Sequence, residues 1–311
     1  MEDYYYKYNI LTDDFDPDAV FPEILTLKDQ LSNIIFEDYI LECLTAMIYG
    51  SNMIEDAGCS LDVTSEFCKS IFSGQDSSKY ENHGGLCSEI EDYLSQNNRP
   101  KELADIQRCR RETVQHANAA SYIISKLYLE DQDLSEEIIL KTHGVLTCGV
   151  DADSTPWTQY SGVYRTDEVR AGLHSFPHHI LVPSKMKAMI RDLKPDLKTA
   201  TKMGAIDQIA IAAKYAHIFV NIHPFLDGNG RMCRLILNAL LLKLGSFLVC
   251  IGETEDDRAI YLEIAAKGGS LESFYESHDD EDKPVICGEL GSFVMSHVKK
   301  SMQALVTATD F

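Results

Sequence analysis

Apolar residues recur at three- and four-residue spacing over most of the chain, and this pattern predicts a fold built almost entirely from helices. Between about Glu37 and Glu55, for example, the side chains of Ile40, Leu44 and Ile48 fall on one helical face. Convincing extended stretches are confined to "GVYRTDEVRAG" and "LHSFPHHILVP". We therefore expect an all-α bundle that carries one short β-hairpin on its surface.

Two strongly apolar helical stretches flank one short loop. The first, "IDQIAIAAKYAHIFVNI", begins at Ile206, and the second, "RMCRLILNALLLKL", runs on to Gly245. Because Asn238 and Lys243 interrupt the apolar run, the second stretch is expected to be a buried core helix rather than a membrane span. The loop that joins them begins "HPFLDGNG" and is dense in functional side chains.

Composition and charge exclude several classes of protein. The chain has 311 residues and a formal net charge of -21, so it has too few basic groups to bind nucleic acid as its main partner. Nine cysteines without a CxxC pair, and an acidic, aromatic beginning instead of a secretory signal, favour a reduced cytoplasmic or nuclear environment. A polar stretch, "SGQDSSKYENHGG", leads us to divide an N-terminal helical segment, residues 1–100, from a second unit, residues 101–311.

A glycine-containing turn opens directly into the second helix and predicts an anion site. Gly228, Asn229 and Gly230 can aim successive backbone amides at one point, since glycines adopt positive φ at little cost. The helix N-terminus adds partial positive charge there, which favours a phosphate group. Arg231 and Arg234 follow on one face of that helix, so both guanidinium groups can reach the bound anion.

Two further side chains complete the groups needed for phosphoryl or nucleotidyl transfer. Asp227 would repel a phosphate unless a cation lay between them, and a Mg²⁺ ion resolves that conflict. His223, with an ordinary pKa of about 6.5, can accept a proton at neutral pH. We expect Pro224 and Phe225 to pack the turn and to leave the histidine facing outward. Each residue alone could be structural, but together they supply a base, a metal ligand and a phosphate cradle.

The stretch "HPFLDGNGRMCR" resembles the signature of the Fic (Fido) family, HPF-x-D-G-N-G-R-x-x-R, at every fixed position. Similarity extends to "GVYR", "HSFPHHILVP" and "DRAIYLEIA", so that it covers about residues 135–278 and looks most like the fungal members. The resemblance implies a Fic-type helical bundle with a β-hairpin flap. It also implies transfer of AMP from ATP, with Mg²⁺, to a Ser, Thr or Tyr hydroxyl of a target protein.

The resemblance assigns a role to each matching residue. His223 would be the general base and Asp227 the Mg²⁺ ligand. The nucleotide would contact Gly228, Asn229, Gly230, Arg231 and Arg234, and Tyr261 would lie near the adenine. The flap, about His174 to Pro183, would hold a target segment by strand addition through Ser175, Phe176, His179, Ile180 and Leu181.

A second resemblance lies in "SNMIEDAG", on a helix predicted over about residues 37–57. Many Fic proteins carry an inhibitory helix with Ser or Thr, three further residues, Glu, and then Gly or Asn. Ser51 and Glu55 match that pattern, whereas Asp56 departs from it at the final position. By resemblance, Glu55 would neutralise Arg234 and occupy the space meant for the ATP γ-phosphate. The simpler alternative is that Glu55 is an exposed carboxylate at a helix end.

Several functions stay open at this level. The same site could remove AMP from a modified protein with the help of Glu55, use a donor other than ATP, or sense a nucleotide without turnover. The sequence predicts no membrane attachment, and it leaves open whether the chain is a monomer or a homodimer. It does not identify the target protein.

Overall fold

The computed structural model of this chain describes residues 17–31, 36–74, 86–171, 174–203, 205–276 and 286–309. Over these residues the chain is almost entirely helical, as the spacing of apolar residues predicts. The helices in chain order are α1 (Pro17–Leu31), α2 (Phe36–Ile54), α3 (Leu61–Phe72), α4 (Cys87–Gln96), α5 (Leu103–Ile124), α6 (Glu136–Leu146), α7 (Trp157–Tyr160), α8 (Val182–Met203), α9 (Ala205–Ile222), α10 (Asn229–Gly245), α11 (Glu255–Glu276) and α12 (Gly288–Thr309). A π-helical turn, Ser125–Leu129, extends α5.

The predicted hairpin is present and very short. Strand β1 (Arg170–Ala171) pairs in antiparallel register with β2 (His174–Ser175), so that Arg170 lies opposite Ser175. Within the described parts of the chain these two strands form the only sheet. The predicted flap, about residues 174–183, contains only the second strand. From here on, the flap means residues 165–181, which include both strands and of which 172 and 173 lie outside the described residues.

The expectation that the flap is extended as far as Pro183 is wrong. Residues His179–Leu181 form a 3₁₀ turn, and α8 begins directly afterwards at Val182. The side chain of His178 accepts a hydrogen bond from the backbone N–H of Ile180, which favours the turn over a continuing strand. Pro183 fits the first turn of α8, because an N–H at that position would have no partner within the helix.

Helix α10 forms the centre of the core. It packs against α9, α5 and α2, and nearly all of its residues are buried. A helix that is buried on every side belongs at the centre of a domain, as predicted for the apolar stretch that ends at Gly245. No helix in the described ranges is long and apolar enough to cross a membrane.

The N-terminal helices pack against the rest of the chain. Helices α2 and α3 lie on α5, α2 also contacts α10, and α1 packs against α12. Helix α2 ends at Ile54 instead of near residue 57, so that Glu55 and Asp56 form a turn just beyond it. The division of the chain near residue 100 stays a prediction, and most of the polar stretch used to draw it lies outside the described residues.

The chain that follows α2 is fixed to α5 by buried hydrogen bonds. The backbone N–H of Gly58 donates to Glu112 Oε2 at 2.9 Å, and that of Cys59 donates to Thr113 Oγ1 at 2.9 Å. Arg99 Nη1 donates to the carbonyl of Gly58, also at 2.9 Å. Because buried backbone groups are costly to leave unpaired, these bonds hold the end of α2 in one position beside α10.

Candidate active site

The loop between α9 and α10 is held in shape by its own residues. His223 has a φ of 50° and donates its backbone N–H to Phe219 at 3.1 Å, which ends α9. Asn229 accepts a hydrogen bond from Phe225 N at 3.0 Å and donates one to Phe225 O at 2.8 Å. Asn229, which the sequence places among the nucleotide ligands, therefore uses its side-chain amide to close the loop.

The two glycines of the turn are needed for different reasons. Gly228 is the N-cap of α10 and has a φ of 78°, as predicted. Gly230 lies within α10 and needs no positive φ, so the sequence argument was wrong about it. A Cβ at Gly230 would lie 2.1 Å from Glu55 Oε1, so a side chain there would push the Glu55 carboxylate out of its place beside Gly230.

His223 lies beneath the flap and does not face freely outward. The ring of Phe176 stacks on its imidazole, with ring centroids 3.7 Å apart. Burial, together with the positive charge of Arg165, lowers the pKa of His223 to about 4. Nδ1 lies 3.1 Å from the carbonyl of Val220, which can only accept, so Nδ1 carries the proton. At neutral pH the imidazole is uncharged and Nε2 is its proton acceptor.

Arg165 joins the flap to the loop, a role that the sequence did not reveal. Its Nε donates to the carbonyl of His223 at 2.7 Å, and its backbone N–H donates to Pro224 O at 2.9 Å. From the same side chain Nη1 donates to Asp167 O at 2.9 Å and Nη2 donates to Pro177 O. The sequence signal for Arg165 was its position as the last residue of "GVYR", one of the stretches that resemble the family.

His143 of α6 contacts the loop between α9 and α10, and its role was also not predicted from the sequence. Gly162 N donates to its Nδ1 at 2.9 Å, so Nε2 carries the proton and donates to Asp227 O at 3.0 Å. Its ring stacks on Phe225 with centroids 3.6 Å apart, and burial lowers its pKa to about 4. The available signal was the helical spacing of "LSEEIILKTHGVL", which places His143 on the same face as Ile139. The hydrogen bonds show that this buried imidazole orients the Asp227 backbone.

Asp227 and Arg231 lie side by side at the start of α10. Asp227 Oδ2 is 3.3 Å from Arg231 Nη2, and the Asp227 side chain is 39% exposed. Arg231 is buried, and among the described residues its Nε and Nη1 have no hydrogen-bond partner. A buried guanidinium with unpaired N–H groups beside a helix N-terminus fits a phosphate, and an accessible carboxylate next to it fits Mg²⁺.

Arg234 is buried and has partners from α2 on one side. Its Nε donates to Ser51 Oγ at 2.7 Å, and Nη2 donates to Ser51 O at 2.9 Å and to Glu55 Oε1 at 2.6 Å. Tyr261 is buried beside Arg234, and its ring centroid lies 5.6 Å from the central carbon of the guanidinium. The adenine contact predicted for Tyr261 stays a prediction. In this conformation its ring packs on Arg234.

The remaining flap residues are distributed unevenly. Ser175, Ile180 and Leu181 are exposed, whereas Phe176 is turned toward His223. His179 Nδ1 lies 3.1 Å from Glu168 Oε1. Of the five predicted contacts, Ser175 lies on β2, whereas His179, Ile180 and Leu181 belong to the 3₁₀ turn. Target binding by strand addition stays a prediction.

Comparison with known proteins agrees with this geometry. The model of the Fic/DOC family matches residues 133–241, which contain α6, the flap, the loop and most of α10. A Fido domain-containing protein of Dictyostelium discoideum is 36% identical over 105 residues, which are 33% of this chain and 71% of that protein. Protein adenylyltransferase Fic of Drosophila willistoni is 27% identical over 113 residues, and the match spans 36% of this chain but only 22% of the fly protein.

Solved structures share the fold at low sequence identity. The Fic-1 fragment of C. elegans superposes with a TM-score of 0.66 at 19% identity, over 94% of this chain and 73% of that one. A Fic domain-containing signaling protein of Bacteroides thetaiotaomicron gives a TM-score of 0.63 at 16% identity, over 94% of this chain and 96% of that one. The helical bundle, the loop and the matches in sequence agree, and the chain belongs to the Fic/DOC family.

Proposed function

We propose that this protein is an adenylyltransferase that moves AMP from ATP to a hydroxyl side chain of a target protein. The observation that carries the proposal is the loop from His223 to Arg234. It joins a neutral imidazole with an available Nε2, an accessible carboxylate, a helix N-terminus and two buried arginines. Relatives named protein adenylyltransferase support the choice of AMP as the transferred group.

The reaction would use these groups as follows. His223 Nε2 accepts the proton of a target Ser, Thr or Tyr hydroxyl as the oxygen attacks the α-phosphorus of ATP. The bond from that phosphorus to the bridging oxygen breaks, and pyrophosphate leaves. The backbone amides at Gly228 to Gly230, with Arg231 and Arg234, would stabilise the negative charge of the phosphates.

Asp227 is the residue that would hold Mg²⁺. The ion would neutralise phosphate charge beside the carboxylate. His143 would keep Asp227 in place through its 3.0 Å hydrogen bond to the backbone carbonyl. Arg231 has two N–H groups free of partners within the described residues, so it can contact phosphate while it still contacts Asp227.

The position of Glu55 supports inhibition of the enzyme by its own N-terminal segment. Glu55 Oε1 lies 2.6 Å from Arg234 Nη2 and occupies the space directly above Gly230. A phosphate bound by Arg234 would have to displace this carboxylate, because two anions cannot share one guanidinium side without strong repulsion. ATP would then bind poorly or in a pose unsuited to transfer.

Asp56, which departs from the family pattern, supports the same state. Its φ of 51° lies in the left-handed region, which explains why the family prefers Gly or Asn there. Asp tolerates this conformation, and its carboxylate lies 3.2 Å from Arg258 Nη2 of α11. Arg258 Nε also donates to Ile54 O at 3.2 Å, so one arginine holds the end of α2 next to Glu55.

Removal of the inhibitory carboxylate should activate the enzyme. With ATP labelled at the α-phosphate, we expect Glu55→Gly to label itself at least tenfold more than the wild type, because a lost charged hydrogen bond corresponds to about 1.5–3 kcal/mol. The control Glu253→Gly removes an exposed glutamate from another turn and should label like the wild type. Inhibition by Glu55 is refuted if Glu55→Gly stays at the wild-type level.

The base is tested in the activated background. Glu55→Gly/His223→Ala should lose nearly all labelling, because in our proposal Asp227 holds Mg²⁺ and His223 is the group of the loop that accepts the hydroxyl proton. Binding of ATP, measured by calorimetry, should persist in this variant. Labelling equal to that of Glu55→Gly alone would show that His223 is not the base.

Release of the end of α2 should activate the enzyme more weakly. Arg258→Ala removes the hydrogen bond to Ile54 O and the pair with the exposed Asp56 carboxylate, which together contribute about 0.5–1 kcal/mol. This free energy corresponds to about two- to fivefold in an equilibrium, so we expect labelling to rise by about that factor. Arg191→Ala, which removes an exposed pair on α8, serves as the control. Unchanged labelling in Arg258→Ala would contradict the role of Arg258.

Opening of the flap should change the titration of His223. Phe176→Ala removes the ring stacked on the imidazole, so the pKa of His223 should rise from about 4 toward the ordinary value of about 6.5. Histidine titration by NMR measures this shift directly. Phe274→Ala, which alters an exposed ring packed on Tyr275, should leave the His223 pKa in place. An unshifted pKa in Phe176→Ala would show that the flap does not control the base.

A further inference from the structure

Three side chains of the flap bring possible metal ligands together. Glu168 precedes β1, and His178 and His179 follow β2. Glu168 Oε1 lies 3.3 Å from His178 Nε2 and 3.1 Å from His179 Nδ1. All three donor atoms lie within 4.8 Å of one another, and no second cluster of this kind occurs in the described portions of the chain.

We propose that Glu168, His178 and His179 bind a divalent transition metal ion, with Zn²⁺ as the best fit. Two imidazole nitrogens and one carboxylate oxygen are ligands that Zn²⁺ accepts, whereas Mg²⁺ and Ca²⁺ prefer oxygen alone. Ligands about 2.0–2.1 Å from a tetrahedral Zn²⁺ lie about 3.3 Å from each other. The two distances from the Glu168 oxygen are already close to this value, and the two histidine nitrogens lie within 4.8 Å of each other.

The protonation of both histidines is compatible with a bound metal. His179 would bind through Nδ1 and keep its proton on Nε2. His178 would bind through Nε2, so its proton moves to Nδ1, which gives up the hydrogen bond it accepts from Ile180 N. That bond is 3.3 Å long and therefore weak, so its loss costs little. One carboxylate and two neutral imidazoles leave the site with a single positive charge, which solvent can stabilise because these side chains are 30% to 52% exposed.

A metal at this position would connect the two ends of the hairpin. Glu168 lies just before the first strand, and the two histidines lie just after the second. A hydrogen bond from Arg165 to Pro177 O joins the same two ends of the hairpin. Phe176, two positions before His178, covers His223. The metal would thus hold the flap in the covering conformation. The proposal rests on the flap geometry alone and does not require nucleotide transfer.

Equilibrium dialysis of the full chain against Zn²⁺ tests the site. We compare the wild type with His178→Gln/His179→Gln and with Glu168→Gln, after a check by circular dichroism that each variant is folded. Loss of even indirect partners of a metal costs about 10- to 100-fold in affinity, so loss of a ligand should weaken one Zn²⁺ site at least about tenfold. Glu263→Gln, which alters an exposed carboxylate of α11, is the matched control and should bind like the wild type.

Co²⁺ distinguishes this site from metal bound by a cysteine thiolate, since the chain also has nine cysteines. In the wild type, Co²⁺ bound to nitrogen and oxygen should give visible d–d bands without the intense near-ultraviolet band of a thiolate ligand. The d–d bands should disappear in the double histidine variant. Equal Zn²⁺ affinity and stoichiometry in the wild type and the double variant would overturn the proposal, as would a cobalt spectrum that survives unchanged in that variant.

Discussion

A buried guanidinium needs a charged or polar partner, and Arg234 is the residue on which the rest of this site depends. Its side chain lies in the core between α2, α10 and α11, where an unpaired charge would be strongly unfavourable. Ser51 satisfies part of it with two hydrogen bonds from α2. The other side of the guanidinium can pair with one anion. In this conformation the anion is the Glu55 carboxylate, and in our proposal a phosphate takes its place during catalysis. Arg234 thus couples the fold of the N-terminal helices to the chemistry of the loop.

In our proposal the loop binds phosphate, and several neutral groups hold its backbone in place. His143 and Asn229 use their side chains to fix the backbone at Asp227 and Phe225. Burial keeps His143 and His223 uncharged at neutral pH, so neither adds a positive charge that would have to be paired. In our proposal the catalytic charges then belong to Asp227 and the two arginines. Such preorganised positions are what electrostatic stabilisation of a transition state requires.

The sequence predicts the loop and the helical fold well because both are encoded locally. The apolar spacing defines α9 and α10, and the groups of the loop are nearly contiguous between His223 and Arg234. Contacts over long separations in sequence are not visible in this way. Arg165 reaches the backbone of His223, and Arg258 reaches the end of α2, only because the helices fold together. The close approach of Glu55 to Gly230 likewise depends on how α2 packs on α10, and the low pKa of His223 depends on burial beneath the flap.

Competition between Glu55 and the ATP γ-phosphate for Arg234 is the central claim, and nucleotide selectivity tests it most directly. Calorimetry with Mg²⁺ would compare ATP and ADP in His223→Ala, which prevents turnover, with and without Glu55→Gly. With Glu55 present, we expect ATP to bind about as tightly as ADP, since Glu55 occupies the side of Arg234 that the third phosphate would need. Without Glu55, ATP should gain about tenfold over ADP, or about 1.4 kcal/mol. The same ratio of ATP to ADP affinity in both proteins would contradict the claim.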